Sequence, residues 1–271
     1  MITIITICYN EEKYISATIE SVLSQTYTDF EYIIKDGGST DGTKRVAESY
    51  REDFEKKGIS YRIISEKDNG LYDAMNIAVR EAKGEWINFM NSGDAYFSDS
   101  VLSKIFEGRD WSASDLLFGD TAEEEFGEFH YFRKCPELIE QRMPFSHQSV
   151  FAKKELLEKY PFDLKWKIGA DYNFLLQGYK AGAVYSDTGV LIAKVSKTGV
   201  SSVRLKDTYL ESIAIRRERG IATPSDEEIK KNMWSINIRQ FGMDYFPGWL
   251  KYWIRKIQRK MRGQKRVAEE G

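Results

Sequence analysis

Only two cysteines occur in 271 residues, Cys8 and Cys135, with no CxxC pair and no Cys/His cluster. This excludes a disulfide framework and a structural zinc site, and it fits a reducing, cytoplasmic compartment. Histidine is as scarce, with His130 and His147 alone. No run of 18 apolar residues is present, and the chain opens directly in a strand pattern without a charged leader, so neither a bilayer span nor a signal segment is expected. Neither GxGxxG after the first strand nor GxxxxGK[ST] occurs, which removes the dinucleotide-fold and P-loop fingerprints. There is no internal repeat, no low-complexity segment and no recognisable nucleic-acid module. What is present is 42% hydrophobic and 14% aromatic residues, enough for a large core in one domain plus appendages. The net charge of −2 is unevenly spread: residues 231–271 hold 10 Lys/Arg against 3 Asp/Glu, so a +7 tail follows a −9 body.

Periodicity organises the first part of the chain. "ITIITIC" (2–8) is β-branched and almost continuously apolar, as in a strand covered on both faces of a parallel sheet. Ile15, Ile19, Val22 and Leu23 then recur at helical spacing between 13 and 25, before a strand at 31–36. A helix over 41–50, a strand at 61–65, a helix over 71–83 and a strand at 85–90 repeat the alternation, so four βα units predict a doubly wound α/β sheet. Beyond residue 110 the spacing predicts strands at 115–120, 127–134, 146–151 and 189–195. Helices are expected over 153–159 and 169–181, and over 206–241 with a break at Pro224.

In such sheets ligands bind beyond the carboxyl ends of the strands. The four ends read "CYNEE", "KDGGSTDGT", "SEKDNGLYDAMN" and "MNSGD", all polar and most of them acidic. Two readings stay open for "DGGSTDGT": a plain strand-to-helix turn, or a loop whose glycines let backbone approach a ligand while Asp36 accepts hydrogen bonds from a base or ribose. Asp73 and Asn76 lie one helical turn apart and could serve the helix dipole or face a nucleotide. Asp94, after an interior strand, is suited to a Mg²⁺ or Mn²⁺ ion shared with substrate phosphates. The alternative there is a simple turn.

"TICYN" (6–10), "SVLSQTY" (21–27), "DGGSTDGT" (36–43), "DNGLYDAMN" (68–76), "GEWINFMNSGD" (84–94), "HQSVF" (147–151) and "FDLKWKIGADYNFLLQ" (162–177) together resemble the family 2 glycosyltransferases of GT-A fold, of the type that builds bacterial surface polysaccharide. The resemblance covers roughly 1–200. It implies a GT-A type mixed sheet and sugar transfer from a nucleotide-diphosphate sugar, UDP first, to a glycan or lipid-linked saccharide, with inversion at the anomeric carbon. On the donor side it implies substrate contacts from Thr6, Tyr9, Asn10, Asp36 and Gly37, and from Asp68, Asp73 and Asn76 in the third loop. Asn91 stands where the family has the first acid of its Asp-x-Asp motif and can hydrogen-bond a ribose hydroxyl beside Ser92, while Asp94 matches the ligand of a Mn²⁺ or Mg²⁺ ion. Asp171 matches the catalytic base, with Ala170 in place of the Glu that commonly precedes it. For Asp171 the bland reading is a charge on a helix N-terminus. His147 has two open readings, a contact to acceptor or diphosphate and a structural role, whereas His130 reads as structural. Lys194, Lys197 and Arg204 flank "SKTGVSS" and could close over a diphosphate.

The resemblance divides the chain into a GT-A domain at 1–205, with a nucleotide-sugar half at 1–95 and an acceptor half at 96–205, followed by a helical extension at 206–271. From Phe246 the extension reads as a basic amphipathic helix. Trp249, Leu250, Trp253, Ile254, Ile257 and Met261 fall on one arc, and Lys251, Arg255, Gln258, Arg259 and Arg262 on the other. That pattern fits peripheral contact with an anionic membrane at its cytoplasmic face, or packing on its own domain or a partner. Two other functions remain open: a non-catalytic nucleotide-sugar-binding regulator, and a sugar-nucleotide pyrophosphorylase, which would want a basic Gly-rich loop where "CYNEE" stands.

Overall fold

The computed structural model of the chain describes residues 1–132, 134–196 and 203–262, the side chains of residues 243 and 258–262 excepted. The first part runs β1 (Ile2–Cys8), α1 (Ile15–Leu23), β2 (Phe30–Asp36), α2 (Thr43–Glu48), α3 (Arg51–Lys56), β3 (Ser60–Ser65), α4 (Leu71–Glu81) and β4 (Trp86–Phe89). It continues through β5 (Ala95–Tyr96), α5 (Val101–Phe106), β6 (Leu116–Glu125), β7 (Glu128–Phe132), β8 (Val150–Lys153), α6 (Lys154–Lys159), α7 (Ala170–Lys180) and β9 (Tyr185–Ser196). Among the described residues the extension carries α8 (Leu205–Glu218), α9 (Asp226–Tyr245) and α10 (Gly248–Arg262).

All strands join one mixed sheet in the order β3-β2-β1-β4-β8-β6-β9-β5, with β7 paired to β6. The first four are parallel, as the βα alternation requires. β8 then runs antiparallel to both β4 and β6, and β9 parallel to β6. Every residue of β1 and β2 is buried, which explains the nearly continuous apolarity of β1, while the charged residues of β2 are buried against partners. Side chains still alternate by period two: Ile5 and Ile7 enter the core under α4 and α7, and Ile2, Ile4 and Cys8 the core under α1 and α5.

Departures from the sequence expectation sit mostly in the second half. The helix expected over 41–50 is α2, and a second short helix not expected from the sequence, α3, follows it. The strand at 115–120 continues to Glu125 because a two-residue turn, with Phe126 at φ +56° and Gly127 at +74°, folds it back as the β6–β7 hairpin. "SHQSVF" splits into a 3₁₀ turn, His147–Ser149, and β8. The extension is also less separate than its lack of motifs implies, since Ile215 of α8 belongs to the main core. The break near Pro224 ends in a capping box, Ser225 with Glu228, that starts α9. Among the described residues no helix is long and apolar enough to cross a membrane.

Candidate active site

The stretch after β4 is fixed by backbone before any side chain acts. Met90 N donates to Ile5 O at 2.9 Å and Ser92 N to Ile7 O at 3.2 Å, carrying the strand contact past β4 itself. Asp94 N then donates to Asn91 O at 3.0 Å, closing a turn whose third residue, Gly93, has φ +91°. A side chain there would strain the backbone, so glycine is required. Thr18 of α1 clamps the turn from outside, accepting from Gly93 N at 3.0 Å and donating to Asp94 O at 2.7 Å. The apolar run ends abruptly because this turn aims Asp94 back across the sheet end.

The 3₁₀ turn at His147–Ser149 meets it there. Gln148 Nε2 donates to Asp94 Oδ2 at 2.6 Å. His147 lies between two loops, with Nε2 3.1 Å from Asn91 Nδ2 and Nδ1 3.6 Å from Asp171 Oδ2. Because an amide nitrogen only donates, that pairing makes Nε2 the acceptor and leaves the proton on Nδ1, facing Asp171. Asp171 stands in the first turn of α7. Its Oδ1 accepts from Tyr172 N at 2.8 Å and lies 3.1 Å from the Tyr72 hydroxyl, which also reaches Ile168 O. Met75, Phe89, Met143, Phe162 and Phe174 wall the cavity that His147 and Asp171 share. Burial pushes the carboxyl groups of both Asp94 and Asp171 above the usual range, with His147 opposing the shift in each case and the Gln148 bond opposing it at Asp94.

Asn91 Oδ1 and Ser92 Oγ are buried without a hydrogen-bond partner among the described residues. Orphaned oxygens beside a carboxylate form a hard, oxygen-only donor set, which suits Mg²⁺ or Mn²⁺ rather than zinc. No cluster of three His, Cys, Asp or Glu exists among the described residues, so a metal here would be completed by oxygens from a ligand. The residues present fit a cation of that kind.

The other strand ends form a second zone. Tyr9, at the end of β1, is 60% exposed. A Cβ on Gly37 would come 3.0 Å from Asp68 Oδ2 and 3.3 Å from the Tyr9 ring, so the bare glycine leaves a narrow slot between ring and carboxylate. Asp68 is held from below by Lys35, which sequence reading missed: its fully buried ammonium donates to Asp68 Oδ2 at 3.0 Å, Glu66 O at 2.8 Å and Asp36 O at 3.0 Å. Asn10, at φ +55°, supports the neighbouring loop by accepting from Thr40 N at 2.9 Å. Asp73 caps the turn before α4, accepting from Asn69 N and Nδ2 at 2.9 Å.

Three expected contacts are turned elsewhere. Thr6 is fully buried, its hydroxyl donating to Met90 O at 2.7 Å and lying 2.8 Å from Tyr32 Oη, because both faces of β1 are covered. Asn76 pairs its amide with the Phe162 backbone, Nδ2 donating to Phe162 O at 2.8 Å and Oδ1 accepting from Phe162 N at 3.0 Å. Asp36 reaches the right strand end, yet Ser39 N, the Ser39 hydroxyl and Ser65 Oγ saturate its buried carboxylate. Lys197 lies outside the described residues. Of its neighbours, Arg204 pairs with Asp207 at 2.7 Å and Lys194 lies over the Phe97 ring.

The sequence profile of glycosyl transferase family 2 matches residues 3–161, more than half of the chain. The chain belongs to glycosyl transferase family 2. Its match takes in Asp94 and the His147 turn and stops short of Asp171. Among relatives, a PGL/p-HBAD biosynthesis glycosyltransferase of Mycobacterium bovis (strain BCG / Pasteur) is 27% identical over 230 residues, 82% of this chain and 87% of the relative. A putative teichuronic acid biosynthesis glycosyltransferase of Bacillus subtilis, TuaG, is 34% identical over 105 residues, 39% and 40% of the two chains. Among solved structures, S. aureus TarS residues 1–349 with UDP-GlcNAc superposes with TM-score 0.64 at 20% identity, over 89% of this chain and 72% of that one. The mannosyltransferase PcManGT of Pyrobaculum calidifontis, with GDP-Man and Mn²⁺, gives 0.63 at 18% identity, over 89% and 69%. The family 2 fold is therefore that of the GT-A glycosyltransferases, and the family identifies the protein as a glycosyltransferase.

Proposed function

We propose that this family 2 enzyme transfers a sugar from a nucleoside-diphosphate sugar, a UDP-sugar first, to a hydroxyl of a glycan or lipid-linked saccharide in cell-surface polysaccharide biosynthesis, with inversion. The observation that carries the reading is the pair of half-buried carboxylates, Asp94 and Asp171, tied to one 3₁₀ turn through Gln148 and His147. The UDP-GlcNAc bound to TarS and the biosynthetic names of the mycobacterial and Bacillus relatives support the donor and the setting.

The chemistry follows from the residues. The acceptor hydroxyl must lose its proton as it attacks the anomeric carbon, and Asp171, ionised and desolvated, takes that proton. The Nδ1–H of His147 faces the same carboxylate and favours its charged state before the transfer. The bond to the nucleoside diphosphate breaks on the opposite side, so a single displacement inverts the anomeric carbon. Asp94, with Asn91 Oδ1 and Ser92 Oγ beside it, would hold Mn²⁺ or Mg²⁺, whose contribution is to offset the charge growing on the departing diphosphate. The slot between Tyr9 and Asp68 suits the edge of a nucleobase stacked on the exposed ring.

Peripheral attachment to an anionic membrane, at its cytoplasmic face, is part of the same reading. Tyr252 packs edge-on against Phe126 at the hairpin tip and Arg255 pairs with Glu125 at 3.1 Å, while Trp249, Trp253 and Ile257 stay 67%, 53% and 57% exposed. Exposed tryptophans on a helix without an acidic residue fit an interfacial anchor. Truncation before Phe246 is expected to abolish flotation with anionic liposomes, and unchanged flotation would remove this element.

A thermal-shift screen of nucleoside diphosphates and nucleotide sugars, with and without Mn²⁺, tests the donor and the metal together. A ligand that binds only the folded chain raises its melting temperature. The expected result is a Mn²⁺-dependent shift that is largest for UDP and UDP-sugars, and the absence of any shift overturns the reading.

A further inference from the structure

Glu211 lies in α8, beyond the span matched by the family and outside every residue given a role above. Its carboxylate faces three consecutive backbone N–H groups of the loop that leads into α7. Lys167 N donates to Oε1 at 2.5 Å, and Ile168 N and Gly169 N donate to Oε2 at 2.7 and 2.8 Å. Gly169 is the N-cap of α7, two residues before Asp171, and its own side gives no capping side chain. The N–H groups entering a helix have no partner within it, and a carboxylate there is favoured by both hydrogen bonding and the helix dipole.

The grip is two-sided. Opposite Glu211, the Tyr72 hydroxyl from α4 reaches Ile168 O, so residue Ile168 is held at its N–H from the extension and at its carbonyl from the nucleotide half. The backbone also lies directly on α8, since a Cβ at Gly169 would come 2.9 Å from Ile215 Cδ1. Two flanking contacts keep α8 in register with this loop and helix: Lys165 Nζ donates to Glu218 Oε1 at 2.7 Å, and Arg219 Nε to Asn173 Oδ1 at 2.9 Å. Among the described residues no hydrogen bond or ion pair is seen from this clamp to Asp94, Asp68 or Tyr9.

We propose that Glu211 is a positioning residue for Asp171: it anchors the entry of α7 so that the carboxylate faces His147 and the incoming hydroxyl. Helix α8 is then a working part of sugar transfer rather than an appendage. The proposal rests on the reading of Asp171 as the base and deepens it, and it separates the two halves of the reaction: loosening the clamp displaces the base while the donor site keeps its shape.

The test uses the full chain with UDP-sugar, a panel of saccharide acceptors, Mn²⁺ and measured release of UDP. Glu211→Ala is expected to lower kcat by about 100-fold, the order of loss that a displacement near 1 Å causes, with the donor KM and the Kd for UDP unchanged within about twofold. Backbone amides 167–169 exchange faster with deuterium in this variant. Glu211→Gln, which keeps the length and one accepting oxygen, recovers most of the loss. Wild-type kcat in Glu211→Ala, or a loss of UDP binding as large as the loss of kcat, overturns the proposal. Should Glu211→Ala fail to fold, Glu211→Asp decides, its carboxylate withdrawn by one methylene: a loss confined to kcat supports the clamp and wild-type kcat overturns it. No turnover by the wild-type chain with any nucleotide sugar would instead sink the transferase reading, while the amide exchange still reports on the clamp.

Discussion

Gln148 Nε2 donates to Asp94 Oδ2 at 2.6 Å, joining the loop after β4 to the 3₁₀ turn before β8. One residue earlier in that turn, His147 stands between Asn91 and Asp171. Two carboxylates from distant parts of the chain are thus set relative to each other by one short turn.

Removing that link is expected to weaken cation binding. The Gln148 bond lowers the pKa that burial raises at Asp94, so Gln148→Ala makes the carboxylate harder to ionise and a cation must displace a more tightly held proton. Loss of such an outer partner typically costs about 10- to 100-fold in metal affinity. Electron paramagnetic resonance of free Mn²⁺, titrated into protein with UDP, reads the change, and an unaltered affinity contradicts it.

The pH dependence of turnover has a defined sign. Burial raises the Asp171 pKa and His147 opposes the rise. The acid limb of kcat/KM therefore lies above the ordinary aspartate range, and His147→Ala moves it to still higher pH because the opposing influence is gone. A limb that stays in place, or moves to lower pH, excludes His147 as the group facing the base.

Lys35 carries a stability prediction. Lys35→Met strands a mostly buried Asp68 carboxylate and two backbone carbonyls, and breaking a buried pair from one side costs about 3–5 kcal/mol. Urea denaturation measures it through the midpoint, and a loss under about 0.5 kcal/mol means that the pair contributes nothing beyond a surface contact.

Gly37 separates nucleotide binding from folding. Its φ lies outside the left-handed region, so alanine is tolerated by the backbone, yet the new Cβ enters the slot between Asp68 and Tyr9. Gly37→Ala is expected to weaken UDP binding about tenfold or more with the melting temperature held within a few degrees. Calorimetric titration checks the first and thermal unfolding the second. Full affinity would place the base elsewhere.

The βα half was legible because its signals are local: β1 is almost continuously apolar, β2 carries a short apolar run, helical spacing intervenes, and turn residues punctuate. Strand ends told which loops gather, not which side chains point outward. Thr6 and Asn76 sit in the right segments but face the interior, since both faces of β1 are covered and a helix can turn an amide onto a neighbouring backbone. Gln148 and Glu211 were invisible for a different reason. Each acts through a partner more than 40 residues away, on a short turn in one case and on bare backbone N–H groups in the other. Neither periodicity nor motif spacing records such a pairing. Lys35 escaped because a lysine in a strand ordinarily reads as exposed, and only three converging acceptors make its burial tolerable.

The most direct test of glycosyl transfer through Asp171 is the acceptor-dependent rate of UDP release from a UDP-sugar by Asp171→Asn, measured beside its affinity for UDP. Loss of a general base costs about 10²- to 10⁴-fold. The expected result is a fall of that size with UDP binding intact, and a variant that turns over at the wild-type rate would show that another group takes the proton.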